Sequence, residues 1–390
     1  MNALCLAEVA ARFHREPGFV FFDTALAVPG AEAVSMIAAR PRQTVRGASD
    51  ADWHVFKETL AAQRGEGFAA GWVDYDGAFC FGFYDQVLRF DHRAGTWRGE
   101  PAGWIETTAA MEPVGRLPFA ASMPCADYMQ RVRRAQEFIA AGHIYQVNLA
   151  HRFAAPWPGR DPFALYSELR RCSPAPHAAY LAFPERTVLS SSPELFLKID
   201  GRRIVTRPIK GTRPRFADPL ADARSAAELI GSPKERAELI MITDLERNDL
   251  GQVCEFGSVR ASEVLKLERY EQVYHLVSTV EGELRPDVDA VTAVRACFPG
   301  GSITGAPKKR AMEIIRELEP GPRGLFTGAI GYFGFDGSCQ FSIAIRTLVI
   351  EQGEAHFHVG AGIVADSDPL AEWEETLHKA AGIRRAAHSI

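Results

Sequence analysis

The residues of this chain that could do chemistry begin with Lys210, in Pro208-Ile209-Lys210-Gly211-Thr212. It follows a strand-like run, Arg203 to Arg207, and stands directly before a glycine. Held in a pocket and stripped of water, a lysine presents a neutral amine, which is a nucleophile; on a solvated loop it does not. Next come two carboxylate pairs, Glu235 with Glu238 and Glu372 with Glu375. Residues three apart share a helix face, so each pair can aim two carboxylates at one point. Two such faces turned toward each other would make an all-oxygen site suited to Mg²⁺. The same residues also have local uses. Ser232 with Glu235 has the spacing of a capping box. Glu372 falls in a first helical turn, where the dipole favours an anion. Glu375 and Lys379 have the i,i+4 spacing of a surface ion pair.

Glycine-rich segments add candidates of a different kind. Gly300-Gly301-Ser302-Ile303-Thr304-Gly305-Ala306-Pro307-Lys308 is not a P-loop, because no Gly-Lys-Ser/Thr stands at the required spacing. It does set backbone N–H groups and two hydroxyls ahead of a helix starting near Pro307, which suits an oxyanion or a substrate hydroxyl. The alternative is a flexible turn. Gly360-Ala361-Gly362 ends a strand-like run, where two glycines allow a ligand close to the backbone or else mark a bulge. His275, in Tyr274-His275-Leu276-Val277, is either a satisfied core histidine or an acid/base group.

The elements that must position these residues follow from periodicity and breakers. Asp127 to Ala141 reads as an amphipathic helix, with Tyr128, Val132, Ala135 and Ile139 on one face and Gly142 as the stop. Asp161-Pro162 and Asp368-Pro369 each open a helix with a cap and a proline. Helices are also expected over Pro219 to Ile230 and Pro233 to about Asn248. Phe79 to Trp97 reads as a strand pair, and Leu195 to Thr206 as a hairpin about Asp200-Gly201. Gly328 to Val364 reads as a β-meander with turns at Asp336-Gly337 and Gln352-Gly353. Within it Phe341, Ile343 and Ile345 alternate with Ser342, Ala344 and Arg346, so Arg346 faces solvent or a polar pocket. Hairpins and helices mix without a βαβ rhythm, which gives an α+β class with large antiparallel sheets. A seam of Pro, Gly, Thr and Ala at 100–124 (Pro101, Gly103, Pro113, Gly115, Pro118, Pro124) separates an N-terminal region, 1–118, from the remainder, 119–390.

Bulk composition removes several function classes. With 47% hydrophobic residues the chain can bury a sizeable core, and a formal net charge of −5 gives no sign of a nucleic-acid partner. The seven cysteines are scattered, with no CxxC pair, so neither a disulfide framework nor a zinc site is indicated. No signal peptide is apparent, and no uncharged apolar stretch reaches membrane-spanning length. A reducing cytoplasm is the expected location, with no membrane partner.

Taken in order, four segments carry a resemblance that none carries alone. They are Pro208 to Thr212, Asp244-Leu245-Glu246-Arg247-Asn248-Asp249-Leu250-Gly251, Gly301 to Lys308, and Gly360 to Asp366 with Glu372 and Glu375. Together they resemble the chorismate-utilising enzymes, over roughly 122–385 and more weakly before. The resemblance implies antiparallel sheets packed as a sandwich with helices outside. It implies Mg²⁺ on Glu238 and Glu375, with Glu235 and Glu372 reaching the ion directly or through water. It implies an enolpyruvyl-carboxylate site at Tyr332, Arg346 and the backbone of Gly360 and Ala361. The ring carboxylate would sit near Gly211, Thr212, Gly362 and Lys379. His275 and Thr304 would lie near the C4 hydroxyl, with Gly305 in the same loop on the substrate side. Glu194, in Ser191-Ser192-Pro193-Glu194, matches a general acid/base.

Two positions point to a branch of the family. Lys210 stands where the anthranilate- and isochorismate-forming members have a small residue, and a lysine there is similar to the aminodeoxychorismate-forming branch. Gln146 stands where water-using members carry a lysine base, and glutamine cannot deprotonate water. The implied reaction is attack of Lys210 on chorismate, then addition of ammonia at C4. The ammonia would come from a glutamine amidotransferase subunit. Anthranilate formation is the alternative. Phe21-Phe22-Asp23-Thr24 stands where feedback-regulated anthranilate synthases have Leu-Leu-Glu-Ser, which argues against inhibition by tryptophan.

Overall fold

Runs such as Phe68–Val73 and Phe79–Tyr84 are buried at every position. Only a sheet covered on both faces can bury such runs. The computed structural model describes residues 6–27, 33–101, 103–107, 112 and 114–388, so Cys5 and Pro113 lie outside it. Among the described residues the strands form two antiparallel sheets, one of 11 strands and one of 10. Alternate residues divide between faces, as the period of two demands. Val20, Met36, Phe68, Ala70, Trp72, Leu181 and Ile330 pack between the sheets. Phe21, Ile37 and Leu189 pack outward from the larger sheet against Phe163, Leu165 and Ile383 of its helices. Phe81, Phe83 and Phe341 pack outward from the smaller sheet against Phe56, Leu250 and Val294. This is the expected sandwich with helices outside.

Strands from the first hundred residues extend both sheets. Val20–Asp23 pairs with His177–Phe183, and Phe68–Val73 pairs with Ala329–Gly334. Consecutive strands often belong to different sheets. Phe79–Tyr84 lies in the smaller sheet and the next strand, Val87–Asp91, in the larger, so these two are not a pair; the pair in this stretch is Val87–Asp91 with Thr96–Arg98. The expected meander is likewise two hairpins. Ala329–Gly334 with Cys339–Ile343 belongs to the smaller sheet, and Thr347–Glu351 with Glu354–Ile363 to the larger. Ala344-Ile345-Arg346 carries the chain between them, with Arg346 at φ +49°; the ladder ends at Ile343, while Ile345 still packs with Phe341 and Ile343 and Ala344 packs between the sheets. Arg186–Ser192 and Leu195–Asp200 make a second crossover, through Pro193-Glu194.

Helix starts follow local chemistry. Asp161 accepts from Phe163 N–H ahead of Pro162–Cys172. Asp368 accepts from Leu370 and Ala371 N–H ahead of Pro369–Ala386. Ser232 accepts from Glu235 N–H ahead of Pro233–Gly251, and Pro219–Gly231 precedes it. The amphipathic helix spans Cys125–Ala140, burying Tyr128, Val132, Ala135 and Phe138; Ile139 sits at the edge of that cluster. The Leu195–Asp200 hairpin pairs Asp200 with Arg203, so its turn residues are Gly201 and Arg202, one position later than expected.

Candidate active site

The two crossovers lie side by side. Ser191 N–H donates to Arg346 O and Ile343 N–H donates to Glu194 O, each at 3.1 Å. A strand leaving its sheet gives up ladder partners, and here serines replace them. Ser192 Oγ donates to Ile343 O at 2.6 Å, and Glu194 N–H donates to Ser192 Oγ at 3.3 Å. The result places an acid and a guanidinium together at the mouth of the sandwich.

Lys210 comes from the adjoining strand, Ile209–Pro214, which pairs with Val273–Glu283. Lys210 opposes Leu276 and Thr212 opposes His275, so Gly211 is the extra residue of a bulge. Gly211 has φ +72°, and a Cβ there would fall 2.6 Å from Leu229 and 3.1 Å from the Glu235 carboxylate. The bulge therefore needs glycine on two counts. It brings Lys210 Nζ to 4.0 Å from Glu238 Oε2. His275 Nδ1 is 2.9 Å from Thr212 Oγ1 and 3.4 Å from Gly211 O.

A cavity of about 900 Å³ opens here. Glu194, Lys210, Gly211, Thr212, His275 and Arg346 line it. Glu235, Glu238, Gly360, Gly362, Glu375 and Lys379 line it with them, Glu238 and Gly362 lying close to Lys210. Gln146 sits just behind: a Cβ on Gly362 would strike its amide and come within 3.7 Å of Lys210 Nζ. Gln146 is 2% exposed and its Oε1 has no partner among the described residues.

Other expected residues lie elsewhere. Tyr332 faces a separate cavity of about 840 Å³ between the sheets, with its ring 5.7 Å from Phe22 and 5.6 Å from Phe68. Asp23 and Thr24 line that second cavity, and Asp23 is paired with Arg170 at 2.6 Å. Thr304 is buried, with its hydroxyl donated to Gly300 O and Gly301 O. Gly305 and Ala361 are buried structural positions: Gly305 pairs with Val147 and Ala361 packs in the core beside Tyr128. Glu372 is 3% exposed, with Oε1 held by Ser367 Oγ and Lys234 Nζ at 2.7 and 3.2 Å.

Among the lining residues, the sequence reading gave no site role to Asn148 or Phe326 and counted Ser302 only as one of two loop hydroxyls. Ser302, in the glycine-rich loop, lines the cavity with Glu194, and its hydroxyl favours the Glu194 carboxylate. Asn148 lines the cavity, with Oδ1 unpartnered among the described residues. Strand alternation with Gln146 was the available signal for it. Phe326 supplies an aromatic wall, stacked on His358 at 5.3 Å.

Charge inside the cavity is tightly coupled. Burial pushes the Glu194 pKa up, opposed by the Ser302 hydroxyl, the Lys210 charge, the Ile209 N–H and the Lys379 charge. Burial also pushes Glu238 up, opposed by Lys210 and Lys234 and reinforced by Glu235 and Glu375. Burial disfavours ionised Glu375, but the Lys379 ammonium at 2.7 Å prevails and its pKa falls. Burial, with the Arg346 charge, lowers His275 to about 4, so its imidazole is neutral at pH 7.

The carboxylates fit a hard divalent cation in donor type, being oxygen only. Glu235, Glu238 and Glu375 share one cavity and repel one another, and Glu372 Oε2 is buried without a partner among the described residues. The side-chain nitrogens of Lys210, Lys234 and Lys379 now face them. Among the described residues no three His, Cys, Asp or Glu side chains converge closely enough to hold an ion as they stand. A bound ion would have to displace lysine contacts.

The chain resembles known proteins throughout this region. A family model described as chorismate binding enzyme matches residues 29–385. Anthranilate synthase component 1 of Streptomyces coelicolor is 48% identical over 70% of this chain and 54% of its own length. Aminodeoxychorismate synthase component 1 of Bacillus subtilis is 45% identical over 72% of this chain and 59% of its own length. The protein of that name from Klebsiella aerogenes is 44% identical over 79% and 70%. The chain thus spans little more than half the length of the first two. Anthranilate synthase component I from Streptococcus pneumoniae superposes with a TM-score of 0.81 at 26% identity, covering 92% of this chain and 93% of that one. The menaquinone-specific isochorismate synthase of Escherichia coli, at 19% identity and a TM-score of 0.78 over 99% of this chain and 92% of that one, shares the fold.

Proposed function

The chain belongs to the chorismate-binding enzyme family, and from that membership we propose that it is an aminodeoxychorismate synthase, aminating chorismate at C4 with the enolpyruvyl group kept. Relatives of the aminating and the anthranilate-forming kinds are about equally similar, so overall identity does not choose. The observation that supports the choice is Lys210, directed into the cavity beside Glu194 and backed by the Gln146 amide instead of a basic group.

Chorismate is a dianion with an allylic C4 hydroxyl, and hydroxide leaves poorly. Arg346 meets one carboxylate, and the cavity wall of Phe326 and Asn148 flanks it. Glu235, Glu238, Glu372 and Glu375 would hold Mg²⁺, which when bound supplies Lewis-acid withdrawal of electrons through the ring carboxylate. Lys210, as the neutral amine, forms a bond to C2. The ring double bonds shift and the C4–O bond breaks, with Glu194 giving the departing oxygen a proton. Glu194 suits this because burial favours its protonated form. His275, being neutral, orients the hydroxyl instead of protonating it. Ammonia then bonds to C4, the double bonds return, the Lys210–C2 bond breaks to free the amine, and the proton shed by the C4 ammonium returns to Glu194. One difficult displacement becomes two easier ones. Gln146 Oε1 is an acceptor for the incoming N–H groups. The ammonia is assigned to a glutamine amidotransferase partner, in keeping with relatives named as component 1.

The test is incubation with chorismate, Mg²⁺ and ammonium, followed by mass spectrometry. Aminodeoxychorismate without pyruvate is expected. Anthranilate with equimolar pyruvate would overturn the reading in favour of anthranilate synthase.

A further inference from the structure

Glu246 is 2% exposed on the helix Pro233–Gly251, two turns beyond the carboxylate pair. Its Oε1 accepts from Gly301 N–H at 3.0 Å, and its Oε2 has no partner among the described residues. Gly301 is pressed onto this helix: a Cβ there would fall 2.7 Å from Leu245 Cδ2 and 3.2 Å from Glu246 Oε1. The next residue, Ser302, lines the same cavity as Glu194, and its hydroxyl favours the Glu194 carboxylate. We propose that Glu246 is a positioning residue, fixing Gly301 so that Ser302 delivers its hydroxyl to Glu194.

Surrounding charges favour a carboxylic acid here. Burial and the neighbouring Asp249 raise its pKa to about 8; Glu194 adds to the rise, while Lys308 and the Gly301 N–H oppose it. Lys308 is already committed to Asp249 and to Cys297 O. A neutral acid offers Gly301 one carbonyl oxygen, which an amide side chain can also offer. The Ser302 hydroxyl favours the Glu194 carboxylate, while Lys210, Lys379, Arg346 and the Ile209 N–H face it from other elements. Losing Ser302 alignment should therefore shift the titration of Glu194 upward.

The inference rests on the catalytic reading of Glu194, and its test has an arm that needs no turnover. With chorismate, Mg²⁺ and ammonium, Glu246→Ala should lower kcat by on the order of tenfold to a hundredfold, with KM changed less than about twofold. The limb of the pH profile moved by Ser302→Ala should move the same way, and the double variant should lose no more than either single one. Glu246→Gln should restore both. Independently, isotope-edited infrared titration, with Glu194 assigned by Glu194→Gln, should show the same upward shift in Glu246→Ala and Ser302→Ala. Unmoved Glu194 titration in folded Glu246→Ala, additive losses, or failure of Glu246→Gln to rescue would overturn the proposal. A wild-type protein that consumes no chorismate would sink the catalytic reading, while the infrared arm would still decide the role of Glu246.

Discussion

At the residue scale the site depends on an amine, an acid and a guanidinium brought together by backbone detours. Replacing Lys210 by alanine removes the nucleophile while leaving Arg346 and the carboxylates. Amination should fall by on the order of a hundredfold or more, and chorismate should still bind. Stopped-assay kcat with ligand-binding calorimetry checks both; full activity with ammonia would end the covalent scheme. Arg346→Gln should act the other way, raising KM more than it lowers kcat, since a point of carboxylate recognition is lost. Several of these residues were legible in sequence because a lysine before a glycine, or carboxylates three apart, carry their meaning locally. Others were not. Ser302 and Thr304 are both hydroxyls in one loop, and only the fold shows that Thr304 turns to the backbone of Gly300 while Ser302 lines the cavity with Glu194. Tyr332 and Phe326 are both aromatics in one segment, yet they open on different cavities.

At the scale of elements, caps and bulges aim the side chains. Asp368 satisfies two N–H groups at the start of the helix that carries Glu372 and Glu375. Asp368→Ala should cost about 1 kcal/mol of stability. It should also raise the Mg²⁺ concentration for half-maximal activity, as the first turn frays. Denaturant melts and a Mg²⁺ titration measure the two effects. Gly211→Ala should be worse, because it strains a left-handed position and pushes on Glu235. The caps at Asp161, Ser232 and Asp368 were readable because each involves groups within a few residues. Membership of a sheet was not, since Phe341 and Val349 look alike in sequence and belong to different sheets. What separates them is three residues ending in Arg346, and a left-handed φ there leaves no mark on the hydrophobic pattern.

For the molecule as a whole, buried titratable groups set a stability optimum. His151, His275 and His356 each have a pKa lowered to about 4 by burial. Their contribution is complete above the unfolded value near 6.5 and is lost as pH falls toward 4. Glu246, raised from 4.5 to about 8, has the opposite sign: its contribution is complete below 4.5 and is lost as pH rises toward 8. Each group changes stability by at most about 1.4 kcal/mol per pH unit. The histidines prevail below pH 6.5 and Glu246 acts alone of these above it, so the melting temperature should peak near pH 6.5. Scanning calorimetry from pH 5 to 9 tests this; a steady rise to pH 9 would contradict it, and Glu246→Gln should flatten the alkaline side.

The way the sheets are assembled bears on how the chain folds during synthesis. Val20 and Val73 pair early on one edge, with Ala38 and Phe79, but their other edges wait for Leu181 and Ala329. Until then the early strands present unpaired edges flanked by Phe68, Trp72, Phe79 and Phe81, the exposure that invites strand-to-strand aggregation. Such high contact order predicts slow folding from denaturant. A fragment ending before Ala329 should remain chaperone-bound or insoluble, however well its own hairpins form.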